Sequence, residues 1–321
     1  MRSAKKMNDI REVRVFAPAT VTNVSCGFDI LGFALNRPGD EVVIRKSSRP
    51  GARIVNISGC EKQLPLEMEQ NTAGKALQSF LFDLGWNQGF ELEIYKRMAI
   101  GTGLGSSAAS AVAAVYGLNQ FLEEPLSLPD LLPFALEGEK LTSNHQVHAD
   151  NVAASLYGGF IIVRSIHPLE IVPIDYPQQL VCVIVHPHIE LPTAVMRRIL
   201  RNQIELKDAV HQWGNIAALV AGLQQKDLGL ISRSLEDVIV EPTRGKVIPG
   251  YEEVRQSALE NGALGCGISG SGPSIFALCT SFEQAENSGR GMQEVYRTLD
   301  IESDLYISAI NDQGAKVVSV V

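Results

Sequence analysis

No stretch of this sequence holds the roughly 18 uninterrupted apolar residues of a membrane-spanning helix, which removes a helical membrane protein from the expectations. The opening residues MRSAKKMNDIREV are basic but lack the apolar stretch of a signal peptide, so a cytoplasmic location is expected, with Met7 an alternative start. Cysteine is sparse. Cys26, Cys60, Cys182, Cys266 and Cys279 are odd in number, widely scattered and without a C-x-x-C, which argues against a disulfide framework or a structural zinc site and for reduced, mostly buried thiols. A basic stripe is also missing: 28 Lys and Arg against 36 Asp and Glu leave a formal charge of −8, so no nucleic-acid surface is expected. Any anionic ligand must then be held by local features. There is no internal repeat and no low-complexity tract.

What is present is an ordinary globular composition, 45% hydrophobic and 20% charged, over 321 residues. That length passes the ~250–300 residues at which a single core stops growing, so two domains are expected. VRVFAPA (13–19), EVVIRK (41–46) and FELEIY (90–95) read as strands, Ser106 to about Leu122 as a helix, LLPFALEGEK as another helical stretch and LYGGFIIVRS as a strand. Prolines cluster near 168–177, which places the boundary around residue 170, with domains 1–170 and 171–321. Beyond it the pattern predicts a strand at 180–186, helices over about 193–236, strands near 263–268 and 274–279, a helix at 282–299 and a strand at 305–310. That β-α-β-β-α-β order is the split βαβ of ferredoxin-like domains.

The segment AIGTGLGSSAASAVAAV (99–115) sets three glycines and two serines before a run of small residues. A P-loop needs Gly-x-x-x-x-Gly-Lys-Ser/Thr, and no lysine stands between Arg97 and Glu123. A dinucleotide fingerprint fits poorly, because Gly101-x-Gly103-x-x-Ser106 ends in serine and follows an alternating strand, although Glu123 and Glu124 lie at a suitable distance. A plain glycine turn into an Ala-rich helix is the third reading. The fourth keeps the physics of phosphate binding without the lysine: glycines let backbone N–H groups approach an anion at a helix N-terminus, with Ser106 and Ser107 offering hydroxyls to phosphate and Mg2+.

GTGLGSSAAS resembles the central motif of the GHMP kinases (galactokinase, homoserine kinase, mevalonate kinase, phosphomevalonate kinase), with Ala99 where that motif has proline. GISGSGPSIFAL (267–278) resembles the family's second glycine loop, so the likeness reaches from end to end of the chain. The resemblance implies an α+β, two-domain GHMP kinase fold, with an N-terminal ribosomal-S5-domain-2-like domain that binds ATP and a C-terminal ferredoxin-like domain. It implies nucleotide contacts from Gly101, Gly103, Leu104, Gly105, Ser106, Ser107, Ala108, Gly270, Ser271 and Gly272, and from Asn71 of NTAGKA toward adenine.

APATVTNVSCGFDILG (17–32), HADN (148–151), TAVMR (193–197), EPTR (241–244) and IPGY (248–251) resemble the homoserine kinase branch in particular. Carried over, that likeness gives Arg197 and Arg244 to a substrate carboxylate with His148 and Thr193 nearby, Asp29 to an ammonium, and Asn23 and Asn151 to the acceptor hydroxyl. Chemistry agrees: a zwitterion needs a cation for one end and a carboxylate for the other, and guanidinium meets carboxylate in a bidentate fork. Each residue alone has a plainer reading. Arg197 suits a solvated helix face, Asp29 a helix cap, Asn23 a turn, and His148 a structural hydrogen bond. His145 and His148 with Asp150 also permit a zinc reading, which the absence of a third nearby histidine weakens.

The resemblance implies ATP and Mg2+, the latter held by Ser106 and Glu139, with Glu137 as rival. It puts Asn151 where other members carry a catalytic aspartate; Asp150 is the residue a general base would use. The expected partners are L-homoserine and ATP, with a homodimer expected from precedent and no nucleic acid or membrane. A mevalonate-type kinase, a non-catalytic nucleotide or metabolite sensor on this fold and, more remotely, a nicotinamide oxidoreductase stand as alternatives.

Overall fold

The computed structural model describes residues 5–60, 62–142 and 148–321. In β1 (Glu12–Thr22), Val13, Val15, Ala17, Ala19 and Val21 alternate into the core, and a tight turn leads into the long β2 (Leu31–Ser47) and then β3 (Ala52–Ser58). Asn71 caps α1 (Thr72–Leu84) by accepting from the Ala73 and Gly74 backbone N–H groups, and Gly85, in left-handed backbone, ends it. β4 (Gly89–Tyr95) feeds the glycine loop and α2 (Ser106–Asn119), followed by α3 (Leu128–Glu139), α4 (Asp150–Tyr157) and the pair β5 (Phe160–Ile166) and β6 (Leu169–Ile174). The second half runs β7 (Val181–Pro187), α5 (Thr193–Arg198), α6 (Leu206–Gln225), α7 (Leu228–Ser234), the one-turn α8 (Glu241–Arg244) and α9 (Tyr251–Glu260). It ends with β8 (Gly265–Ile268), β9 (Ile275–Cys279), α10 (Phe282–Thr298), β10 (Ser303–Ala309) and β11 (Lys316–Val320).

A seven-stranded sheet follows the path β11-β1-β2-β4-β3, with β5 paired to β2 and β6 to β5. Its pairs are antiparallel except β3 with β4. α2 lies at the centre of this half, against β1 and β2 on one side and α1, α3 and α4 on the other. Ala108, Ala109, Ala111, Ala113 and Ala114 are all buried, because a helix enclosed on every side has room only for small side chains. The second sheet, β10-β7-β9-β8, is antiparallel throughout and has the strand order of a ferredoxin-like domain. Both faces of β7 are buried, so its residues read as one apolar run. One face (Val181, Val183, Val185, Ile275, Ala277) packs with Met292 and Tyr296 of α10 and Val254 of α9, while the other (Cys182, Ile184, Phe276, Leu278) joins the core of the first sheet together with Leu219, Leu223 and Ile231 of α6 and α7.

Three features depart from the pattern-based reading. The helix that lies beside α10 is α9, not the run over 193–236; only Tyr251, Val254 and Ala258 of its otherwise polar sequence are buried, too weak a stripe to announce it. β6 still belongs to the first sheet, so the change of sheet falls between Ile174 and Val181, at the last proline of the cluster and not around residue 170. β11 returns to the first sheet beside β1; its exposed KVVSV has no alternation to reveal it. All five cysteines are free, and all but the half-buried Cys60 are buried. Among the described residues no helix is long and apolar enough to cross a membrane.

Phe33 joins the halves: fully buried, its ring lies 4.6 Å from that of Phe160 in the first sheet and 6.3 Å from that of Phe276 in the second. Phe33→Ala should lower unfolding stability by about 3–5 kcal/mol in denaturant titrations, and a loss below ~1 kcal/mol would show that the junction does not depend on this ring.

Candidate active site

One cavity of about 370 Å³ opens where the two glycine loops meet the start of α2, the end of β1 and the start of α5. Gly101, Gly103 and Gly105 all adopt left-handed backbone (φ 78°, 80° and 68°). At Gly103 and Gly105 the absence of a side chain is also steric, since a Cβ would come within 2.4 Å of the Ser269 carbonyl and 2.3 Å of the Thr20 hydroxyl. α2 starts from Gly105 with no side-chain cap, so its first-turn N–H groups face the cavity, where an anion can take them. A lysine does lie beneath the loop, as the residue that follows β4. Lys96, buried at the end of that strand, pairs with the fully buried Asp40 and donates to the Ser106 carbonyl and the Ser110 hydroxyl, both at 2.8 Å. Asp40 also accepts from the Ser110 hydroxyl (3.0 Å) and the Arg97 backbone N–H (2.9 Å).

Beside the loop, both Glu139 oxygens accept hydroxyls, from Ser107 at 2.9 Å and Thr142 at 3.0 Å, and burial raises its carboxyl to about 7. Glu139 lines the cavity, whereas its rival Glu137 pairs with Lys140. The serine that touches Glu139 is Ser107; Ser106 turns its hydroxyl toward Asp40. Hard oxygen donors around a half-buried carboxylate next to an anion cradle form a set that fits Mg2+. Across the cavity, Thr20 donates to the Asn151 carbonyl oxygen (2.7 Å) and the Asn151 amide donates to Thr22 (3.2 Å), so two threonines of β1 fix that side chain at both ends. Asp150, the first residue of α4, is buried, and its carboxyl is raised to about 6 by burial and then by Asp29.

The opposite end is charged. Asn23, Val24, Ser25 and Asp29 all take positive φ, a conformation unfavourable for a β-branched residue such as Val24. Asn23 holds this turn, accepting from the Asp29 N–H at 3.0 Å and donating to the Gly270 carbonyl at 2.6 Å. Arg197 grips Asp29 bidentately at 2.8 and 3.0 Å, with His148 Nδ1 3.3 Å from the same guanidinium. Arg244 is almost wholly buried; it donates to the Met196 and Gly270 carbonyls, and burial, then Arg197, lowers it to about 10. Both guanidiniums stand over the ring of Phe28, Arg197 at 5.3 Å and Arg244 at 5.2 Å from its centre. Burial, with Arg197 and Arg244 adding to it against Asp29, lowers the His148 imidazole. Thr193 meets Ser271 hydroxyl to hydroxyl at 3.1 Å.

Asn23, Asp29, Glu139, His148, Asp150, Asn151, Thr193, Arg197 and Arg244 therefore line one cavity with Gly101, Gly103, Gly105, Ser106, Ser107, Gly270 and Ser271. Leu104 and Ala108 do not line it: both are buried in the core, where a helix this slim and its preceding loop pack. Gly272 turns toward Ile248 and Ile268. Asn71 lines the cavity, but its amide is engaged as the α1 cap and by the Pro65 carbonyl, which leaves little of it for a base. His145 lies outside the described residues. Pattern reading missed Asp40, Lys96, Ser110, Phe28, Thr20 and Thr22. The two threonines stood in the quoted APATVT segment, alternating on β1 toward the site, whereas nothing local marks Asp40 or Lys96.

Residues 71–159 match the family model of the GHMP kinases N terminal domain, and residues 219–298 that of GHMP kinases C terminal. The homoserine kinase of Chlorobium phaeovibrioides is 44% identical over 320 residues, 96% of this chain and 100% of that one. The homoserine kinase of Xanthomonas campestris pv. campestris is 39% identical over 97% of this chain and 95% of its own. The crystal structure of homoserine kinase from Cytophaga hutchinsonii superposes with a TM-score of 0.94 at 51% identity, covering 98% of this chain and 99% of that one. L. major mevalonate kinase, at 18% identity and a TM-score of 0.70 over 96% of this chain and 98% of its own, shares the fold. Likeness of this degree over nearly the whole of both chains makes this protein a member of the homoserine kinase family, within the GHMP kinases.

Proposed function

We propose that the protein transfers the γ-phosphoryl group of ATP to the side-chain hydroxyl of L-homoserine, with Mg2+ as the accompanying cation. What carries this reading is the adjacency of Asp29 and Arg197, with Arg244 behind them, in the same cavity as the glycine loop. The ammonium and carboxylate of an amino acid sit on one carbon, so a receptor for them must hold its own opposite charges side by side. Until the zwitterion arrives, the pair offsets its own desolvation; the remaining donors of Arg197 and lone pairs of Asp29 then take the carboxylate and the ammonium. Mevalonate has no ammonium for Asp29 to meet.

The polyphosphate lies along Gly101–Gly105 and the open first turn of α2, where backbone N–H groups and the helix dipole favour negative charge. Lys96, its charge met by Asp40 and its protons shared among Asp40, Ser106 and Ser110, braces that turn from beneath. Glu139 with the hydroxyl of Ser107, and that of Ser106 once it turns from Asp40, would hold Mg2+, which when bound neutralises phosphate charge. Phosphoryl transfer passes through a loose transition state, so positioning outweighs base strength. Asn151, fixed by Thr20 and Thr22, and Asn23 orient the acceptor hydroxyl, whose proton leaves late; Asp150, with its raised pKa, is the carboxylate on hand to receive it.

Arg197→Gln and Asp29→Asn should each raise the KM for L-homoserine about 10- to 100-fold, the loss of a charged hydrogen bond worth ~1.5–3 kcal/mol, while the KM for ATP moves less than about twofold. Unchanged homoserine KM values in both variants would overturn the placement of the amino acid. These residues test better than Arg244, whose bonds to the Met196 and Gly270 carbonyls make its removal a structural change as well. Glu139→Gln should raise the Mg2+ concentration needed for half-maximal rate. Protonation of Glu139, near 7, opposes cation binding, so at subsaturating Mg2+ the wild-type rate should fall as pH drops through 7; in Glu139→Gln only the limb from Asp150, near 6, should remain. Identical Mg2+ and pH dependence in the variant would remove Glu139 from the cation site.

A further inference from the structure

We propose a second anion-binding site, for a small organic dianion such as a phosphate ester with an apolar body, in the groove between the two sheets behind the nucleotide loop. The groove is about 670 Å³, within the range of small-molecule sites, and is lined by Arg37, Arg97, Lys316, Phe16, Tyr306 and Val318 among others. Neither arginine side chain nor Lys316 has a carboxylate partner among the described residues. Lys316 instead stands over the Phe16 ring at 5.7 Å. The carboxylates nearby are engaged elsewhere: Glu41 by Arg14 at 3.0 Å, and Asp304 by His188 at 3.2 Å and the Tyr306 hydroxyl at 3.5 Å. In a chain with an excess of acidic residues, three unneutralised cations around one concavity leave a local positive field, and the aromatic and aliphatic walls exclude water around a ligand's body. One wall is β10, an edge strand paired only with β7 along its length, whose free side presents backbone N–H groups.

Strand alternation explains why such a site stands here. Asp40 and Lys96 face inward beneath the glycine loop, and their neighbours Gly39, Glu41 and Arg97 face the groove. The same two strands thus supply a cation to each side, and the floor of the groove is the back of the nucleotide site.

The test is calorimetric titration of the full chain, pre-saturated with Mg-ADP, with phenyl phosphate as the probe. Wild type and Arg37→Lys should bind one equivalent, and the double variant Arg37→Glu/Lys316→Glu should bind at least about tenfold more weakly, having lost two charge-assisted contacts. Both positions are exposed, so thermal unfolding of the variants should match wild type. No binding to wild type, or equal affinity in the double variant, would overturn the proposal. The charge reversal rather than the nucleotide decides the outcome, so failure here leaves the kinase reading untouched.

Discussion

The contact that the rest of the site depends on is between the two glycine loops. The Ser269 hydroxyl donates to the Gly103 carbonyl at 2.8 Å, and the Gly270 N–H donates to the Thr22 carbonyl at 3.1 Å. No residue with a Cβ can stand at 103 without displacing the Ser269 backbone. Through this approach the end of β1, the start of α2 and the turn after β8 come to share one wall. The Gly270 carbonyl then accepts from both the Asn23 amide and the Arg244 guanidinium, so a single backbone atom ties the charged end of the cavity to the glycine-loop end.

Electrostatics follows from that geometry. The chain is acidic overall, so the donors that the cavity presents to an anion are local: the uncapped turn of α2 and the glycine N–H groups. The charges around the cavity are partnered, whether buried, as Lys96, Asp40 and Arg244 are, or half-buried, as Asp29 and Arg197 are. Lys96 has Asp40, Arg244 has two carbonyls, and Asp29 has Arg197. Glu241 extends the scheme. It accepts from Tyr251 at 2.8 Å and from the Ile268 N–H at 2.9 Å, and burial followed by Asp237 raises it to about 7. Its bonds fasten α8, which carries Arg244, to β8, which ends in the second glycine loop, so the arginine and the loop are held in one frame.

Much of the fold was legible because it rests on local pattern. The alternation of β1 and β4, the small-residue face of α2 and the order of elements beyond residue 180 all follow from side-chain period and size. What escaped was marked by contact alone: α9 with its three buried residues, β11 with no alternation, and the return of β6 to the first sheet. The site divides in the same way. Residues held in contiguous motifs were found, whereas Asp40 and Lys96, 56 positions apart and each unremarkable in its strand, become a buried pair only when β2 and β4 align.

The family, the two glycine loops, the helix that opens from the first and the motifs whose charged residues line the cavity could be read from the sequence, because glycine freedom, helix periodicity and motif spacing are properties of neighbouring residues. Only the tertiary structure decided that Arg197 and Asp29 stand together, that Asn71 is a cap, that Ser107 is the serine that meets Glu139, and that the lysine after β4 lies under the loop. Those outcomes depend on which side chain faces which across strands and loops far apart in the chain.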